Sequence, residues 1–157
     1  MSIFTYIKED HKEIRTLLDQ IENEGPEESE LRTDLFNELK EKLLVHEYAE
    51  EEAFYKPLKE NSLLDEDEIT ESEEEHEETR DLLQALTDPE LVGEEWFDCF
   101  MELKDELIAH MDEEEDEIFQ DAKKAISTTD AQNMEDEMKR QERHQRENRD
   151  TRKRQTS

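Results

Sequence analysis

Apolar side chains recur along this chain at steps of three and four residues, the period of one face of an α-helix. The first stripe runs Ile3, Ile7, His11, Ile14, Leu18 and Ile21, with Ser2 placed before it as an N-cap and Gly25-Pro26 placed to stop it. A second carries Leu35, Leu39, Leu43, His46, Glu50 and Phe54 and ends near Pro57 or soon after it. Asn61 to Asp65 makes the next turn, and a third helix presents Ile69, His76, Leu83 and Leu86 until Thr87. Asp88-Pro89 supplies an N-cap and first-turn pair for a long fourth helix through Val92, Trp96, Phe100, Leu103, Leu107, His110, Glu114 and Ile118, with Gly93 as a small local cost inside it. Gly and Pro, two and three in all, are concentrated between these stretches. The predicted fold class is all-α, an up-down-up-down four-helix bundle over residues 1–126.

Residues 127–157 read differently. No apolar residue follows Met138, while Lys139, Arg140, Arg143, Arg146, Arg149, Arg152, Lys153 and Arg154 crowd the end. The expectation is a charged tail, helical at first and then disordered, free to fold back on the acidic body.

Composition changes the picture in one respect. With 31% hydrophobic and 45% charged residues, the chain is near the boundary below which chains fail to fold, so the arrangement of its few apolar residues decides the outcome. A net charge of −30 excludes nucleic acid and anionic membranes as expected partners and suits a salt-rich solvent, where screening over about 3 Å at molar salt removes self-repulsion. No apolar run of about 18 residues is present, and the N-terminus lacks a basic segment followed by a cleavable apolar stretch, so a soluble, cytoplasmic protein is expected. The single Cys99 sits among Trp96, Phe97, Phe100 and Met101 and reads as a small core residue.

The chain also repeats itself. His11, Glu13, Arg15, Leu17 and Leu18 match His76, Glu78, Arg80, Leu82 and Leu83, 65 residues on. His46, Glu50 and Phe54 match His110, Glu114 and Ile118, 64 residues on, with acids between them in both copies. Each half is one helical hairpin, and two such hairpins bury their apolar faces by packing together about a pseudo-twofold axis. His46 and Glu50, like His110 and Glu114, lie one turn apart on one helix face, where the stripe calls for Leu. Burying such carboxylates without partners costs several kcal/mol. A pair of cations removes that cost if Glu50 and Glu114 each bridge both ions, His11 and His46 ending one and His76 and His110 the other. Mixed imidazole and carboxylate donors with open positions suit iron, with manganese or zinc as alternatives. His144, between Arg143 and Arg146, is expected in solvent.

The ordered set His11, His46-x-x-x-Glu50, His76 and His110-x-x-x-Glu114 resembles the hemerythrin-like, or HHE cation-binding, family over about residues 1 to 126. The resemblance implies a non-heme di-iron centre of two iron ions bridged by Glu50 and Glu114, where O2 or NO meets iron. Oxygen-carrying members have a fifth His on the third helix, whereas here Ser72 and Arg80 flank His76 at that spacing. Glu47 and Glu73 are the further candidate ligands in its place, and a more anionic set would favour ferric iron over reversible O2 carriage. The first functional reading is a module that binds or senses O2, NO, redox state or iron. The alternatives are a di-iron enzyme reducing peroxide or NO, an iron storage or repair protein, and an acidic bundle to which metal is incidental.

Overall fold

The computed structural model describes residues 2–156, with side chains described through Arg149. Helix α1, Ile3–Glu24, starts where the Ser2 side chain accepts from the Thr5 amide, and it stops at Gly25, whose φ of 76° favours glycine. Ser29 caps α2, Glu30–Glu50, by accepting from the Arg32 amide at 3.0 Å. This rod continues through a π-helical turn, Glu51–Tyr55, into α3, Lys56–Glu60. Asp65 caps α4, Glu66–Ala85, whose first turn carries Glu66, Asp67 and Glu68 at the positive end of the helix dipole. The fourth rod is α5, Gly93–Glu113, a second π-helical turn, Glu114–Ile118, and α6, Phe119–Ala125. Helix α7, Thr128–Thr156, follows. Among the described residues the fold is all-helical, and no helix is long and apolar enough to cross a membrane.

Two expectations are corrected. The fourth rod does not begin at Asp88-Pro89: Asp88 Oδ1 accepts from the Glu90 amide at 2.9 Å, closing a local turn, and the helix begins five residues on at Gly93, whose φ is 61°. Gly93 is thus an opening residue, not an interior cost. Nearby, the Trp96 indole donates to the Leu86 carbonyl at 3.0 Å with the Arg32 guanidinium over its ring, which fixes this corner. The charged tail is likewise helical up to Thr156, and its first half is packed. Ala131, Met134 and Met138 are buried where α7 lies against α1, α2 and the first π turn. Charged residues past Arg149 lie outside the described side chains.

The core divides in two. One apolar cluster holds Ile3, Ile7, Phe54, Tyr55, Ile118 and Phe119; the other holds Ile14, Leu18, Leu43, Leu83, Phe100 and Leu107. Phe4, Phe54 and Phe119 meet edge to face at centroid distances of 5.3 to 6.0 Å, each pair worth about 0.5–1.5 kcal/mol beyond its buried area. Along each of the first four rods, buried polar side chains stand between one cluster and the other: His11; His46 and Glu50; Ser72, His76 and Thr79; His110 and Glu114.

Candidate metal centre

Four-residue steps place His46, Glu50, Phe54 and Leu58 on one rod and His110, Glu114, Ile118 and Ala122 on another, and all eight are buried. In a straight α-helix each such step overshoots a full turn by about 40°, so three steps would rotate the last residue off the face. The π turns absorb this drift: the Lys56 amide reaches back to Glu51 and the Phe119 amide to Glu114, five residues each. The first wide turn begins immediately after the buried Glu50 and the second at the buried Glu114, and the sequence stripe carried their signal as an unbroken run of steps of four.

Between the two apolar clusters the imidazoles of His11, His46, His76 and His110 converge on Glu50 and Glu114. Glu50 turns one oxygen to His76 Nε2 at 3.2 Å and the other to His46 Nε2 at 3.6 Å. Glu114 repeats this with His11 at 3.2 Å and His110 at 3.9 Å. Each carboxylate thus presents one oxygen to a histidine of each half. His76 and His110 bring their Nε2 atoms to 3.1 Å. Two groups, His11 with His46 and Glu50, and Glu50 with His76 and His110, hold donor atoms within 4.8 Å of one another.

The outward nitrogens are equally ordered. His11 Nδ1 lies 3.0 Å from Glu115, His46 Nδ1 2.8 Å from Asp10, His76 Nδ1 2.9 Å from Glu51 and His110 Nδ1 3.0 Å from Glu75. A carboxylate on each Nδ1 holds the proton there and leaves Nε2 as a free donor aimed inward. Arg80 donates to Glu51 at 2.7 Å, and Arg15 lies 3.5 Å from Glu115, which accounts for the matched arginines of the repeat. Sequence reasoning missed these four acids, although each neighbours a candidate ligand: Asp10 and Glu75 precede a His, while Glu51 and Glu115 follow a Glu.

Electrostatics without metal show what the centre requires. Burial and the nearby Glu114 push the Glu50 carboxyl up to about 8. Burial acts on Glu114 too, but His11 overcomes it and holds that carboxyl well below the usual range. His11 itself rises to about 9, its burial outweighed by Glu114 and Glu115. Tyr55, fully buried and stacked on His76 with centroids 5.4 Å apart, donates its hydroxyl to Glu114. Both Glu50 oxygens, one Glu114 oxygen and His11 Nε2 have no hydrogen-bond partner, although His11 Nε2 and Glu114 Oε1 are 3.2 Å apart. Donors at 3.2 to 3.9 Å stand as adjacent ligands do around one ion with bonds of about 2.1 Å. The residues therefore fit a cation, and with no thiolate in reach the donor set is imidazole and carboxylate.

A profile of the hemerythrin HHE cation binding domain matches residues 2–122. The chain belongs to that family. No curated protein and no solved structure matches it. The matched region contains every hemerythrin-like histidine and glutamate named above and ends before α7.

The two further candidates part company. Glu47 is buried, accepts from the Thr79 hydroxyl at 2.7 Å, has its other oxygen 3.6 Å from the Arg80 guanidinium, and lines a small void with His11, His46, His76 and His110. Ile14, Leu43, Leu107 and Met111 form the apolar side of that void. Glu73 points away, paired with Lys59 at 3.1 Å, and Ser72 takes the inward place one turn before His76. His144 is exposed, as its surroundings in the sequence imply.

Proposed function

We propose that this hemerythrin-family chain is a non-heme di-iron binding protein whose centre binds or senses a diatomic ligand, O2 or NO, or the redox state of its surroundings. The observation that carries this reading is the crossed pairing of Glu50 and Glu114, each with one oxygen toward a histidine of each half. His11 and His46 would hold one iron, His76 and His110 the other, and the two glutamates both. The helices carrying them would form the up-down-up-down bundle that the repeat implies, with α7 added outside it. Bound iron would supply one-electron redox change and open coordination positions.

The chain's own residues do the rest. Asp10, Glu51, Glu75 and Glu115 orient the imidazoles and raise their basicity. The two apolar clusters exclude water on either side of the centre. Glu47, buried beside the histidines, would be the further carboxylate ligand rather than Glu73, which pairs with Lys59. The acidic surface argues against nucleic acid as a partner. One feature favours a second reading, turnover of peroxide or NO: the Tyr55 hydroxyl sets a proton donor against Glu114 inside the centre.

Metal analysis of the purified protein, with optical spectra of the reduced form before and after air, tests the proposal. Two irons per chain and an air-dependent spectrum are expected; absence of bound iron, or binding unchanged by Glu114→Gln, would overturn it. Steady consumption of peroxide or NO by the loaded protein would select the enzyme reading.

A further inference from the structure

Helix α7 lies beyond the family match, yet it enters the polar layer. Its buried face runs Ala131, Met134, Met138 and then Glu142, only 1% exposed. The Tyr6 hydroxyl donates to one Glu142 oxygen, and the other has no donor. The Glu142 carboxylate instead lies beside Asp10, and the donor atoms of Asp10, His46 and Glu142 lie within 4.8 Å of one another. Asp10 is the carboxylate that holds His46 Nδ1, and Lys42 completes its surroundings at 2.8 Å. The pseudo-twofold counterpart of Asp10 is Glu75, which holds His110. Its side chain is 28% exposed, and no α7 residue stands behind it among the described contacts. The two imidazoles are therefore supported unequally: one by a carboxylate locked under a fifth helix, the other by a carboxylate open to water.

We infer that Glu142 is a positioning residue for the His46 side of the centre. It fixes Asp10 and thereby the His46 ring, so that seating of α7 and cation occupancy beside His46 favour each other. This rests on the di-cation reading above. Linkage makes the effect reciprocal: whatever α7 adds to cation affinity, the cation adds to the seating of α7. Loss of such an outer carboxylate contact weakens metal binding about 10- to 100-fold.

The test is an anaerobic Fe(II) titration of the full chain against a chromophoric chelator, for the parent, Glu142→Leu and Glu142→Gln. Leu fills the buried place without a polar contact, and the metal-free variant is expected to melt no lower than the parent. One of the two Fe(II) ions should bind about tenfold more weakly in Glu142→Leu, while the other is unchanged. Gln can still donate to Asp10 and accept from Tyr6, so it should restore affinity to within about threefold. In a His110→Ala background the Leu effect should persist; in a His46→Ala background it should vanish. Hydrogen exchange of the parent adds a reading that needs no variant: Fe(II) should slow amide exchange around residues 138–145. Equal weakening of both ions, no weakening, or exchange in α7 indifferent to Fe(II) would overturn the inference. Failure of the parent to bind two Fe(II) would instead remove the di-cation reading itself.

Discussion

Replacing Glu50 by Gln should move stability in opposite directions with and without metal. In the metal-free protein the Glu50 carboxyl, raised from 4.5 to about 8 by burial and Glu114, must take up a proton to remain inside the fold at neutral pH. The folded state then binds more protons than the unfolded state between those two values, so its stability falls as pH rises through that window. Each pH unit above 4.5 costs about 1.4 kcal/mol, so the burden at pH 7 is about 3 kcal/mol. Gln has nearly the same shape and carries no charge. Glu50→Gln should therefore raise the melting temperature of the chelator-treated protein by up to about 6–12 °C at pH 7, at about 2–4 °C per kcal/mol for a chain of this size. The gain should grow toward pH 8 and disappear below pH 4.5, where the carboxyl becomes protonated in both states. With Fe(II) the order should reverse, because saturation a hundredfold above Kd adds about 2.7 kcal/mol per ion to the parent and Gln cannot bridge two cations. Scanning calorimetry of both proteins, with chelator and with Fe(II) under argon, measures all four melts. A chelated variant that melts below the chelated parent would refute the reasoning, since Glu50 would then be satisfied by the protein and not waiting for a cation.

His11, raised to about 9 by Glu114 and Glu115, contributes stability that is present below its unfolded value of 6.5 and lost as pH rises through 9. With Glu50 acting in the same sense, the chelated parent should lose stability steadily from pH 6.5 to 8; urea midpoints that stay flat across that range would contradict both assignments. Tyr55→Phe copies the residue found at the equivalent place, Phe119, but removes the buried donor to Glu114; a cost of about 1–3 kcal/mol in the metal-free protein is expected from urea unfolding. A net charge of −30 predicts a melting temperature that rises as KCl goes from 0.1 M toward molar concentrations, about 10 Å to 3 Å in screening length, and a flat or falling curve would remove self-repulsion as a factor.

Most of the buried polar cluster was legible because histidines and glutamates that face inward interrupt an apolar stripe, and a stripe can be read from spacing alone. His11, His46, Glu50, His76, His110 and Glu114 stand where Leu would otherwise be, and the repeat at 64 and 65 residues ties them together. Helix α7 was less legible. Its buried face passes from Met134 and Met138 to Glu142, so the apolar pattern ends while the helix continues. The carboxylates behind the histidines were obscured by abundance: with 50 acidic residues in the chain, nothing in composition separates Glu75, which meets His110, from Glu74, which is exposed. The start of the fourth rod was misplaced because Asp-Pro serves a closed turn and a helix cap equally well, and what selected the turn was the positive φ of Gly93 four residues beyond Pro89.

The sequence repeat relates the candidate ligands but not what surrounds them, and that difference has a direction. At the repeat offsets, Glu47 corresponds to Met111, Tyr55 to Phe119, Ser72 to Ile7 and Thr79 to Ile14, and all eight are buried. In each pair the polar member contacts His76 or Glu114, or lies on the rods that carry Glu50 and His76; the apolar member is its equivalent around His11. The polar members thus gather on the rods that carry Glu50 and His76, and the apolar members on the rods that carry His11 and Glu114. A cation beside His76 would meet added negative charge from Glu47, which favours the higher oxidation state. A cation beside His11 would have the carboxylates of Glu115 and Asp10 behind its imidazoles and the Phe119 ring stacked on His11, an apolar wall that penalises water at any open position. Two ions held by nearly identical ligand sets would therefore differ in affinity and potential because of four substitutions between the halves, none of them at a histidine.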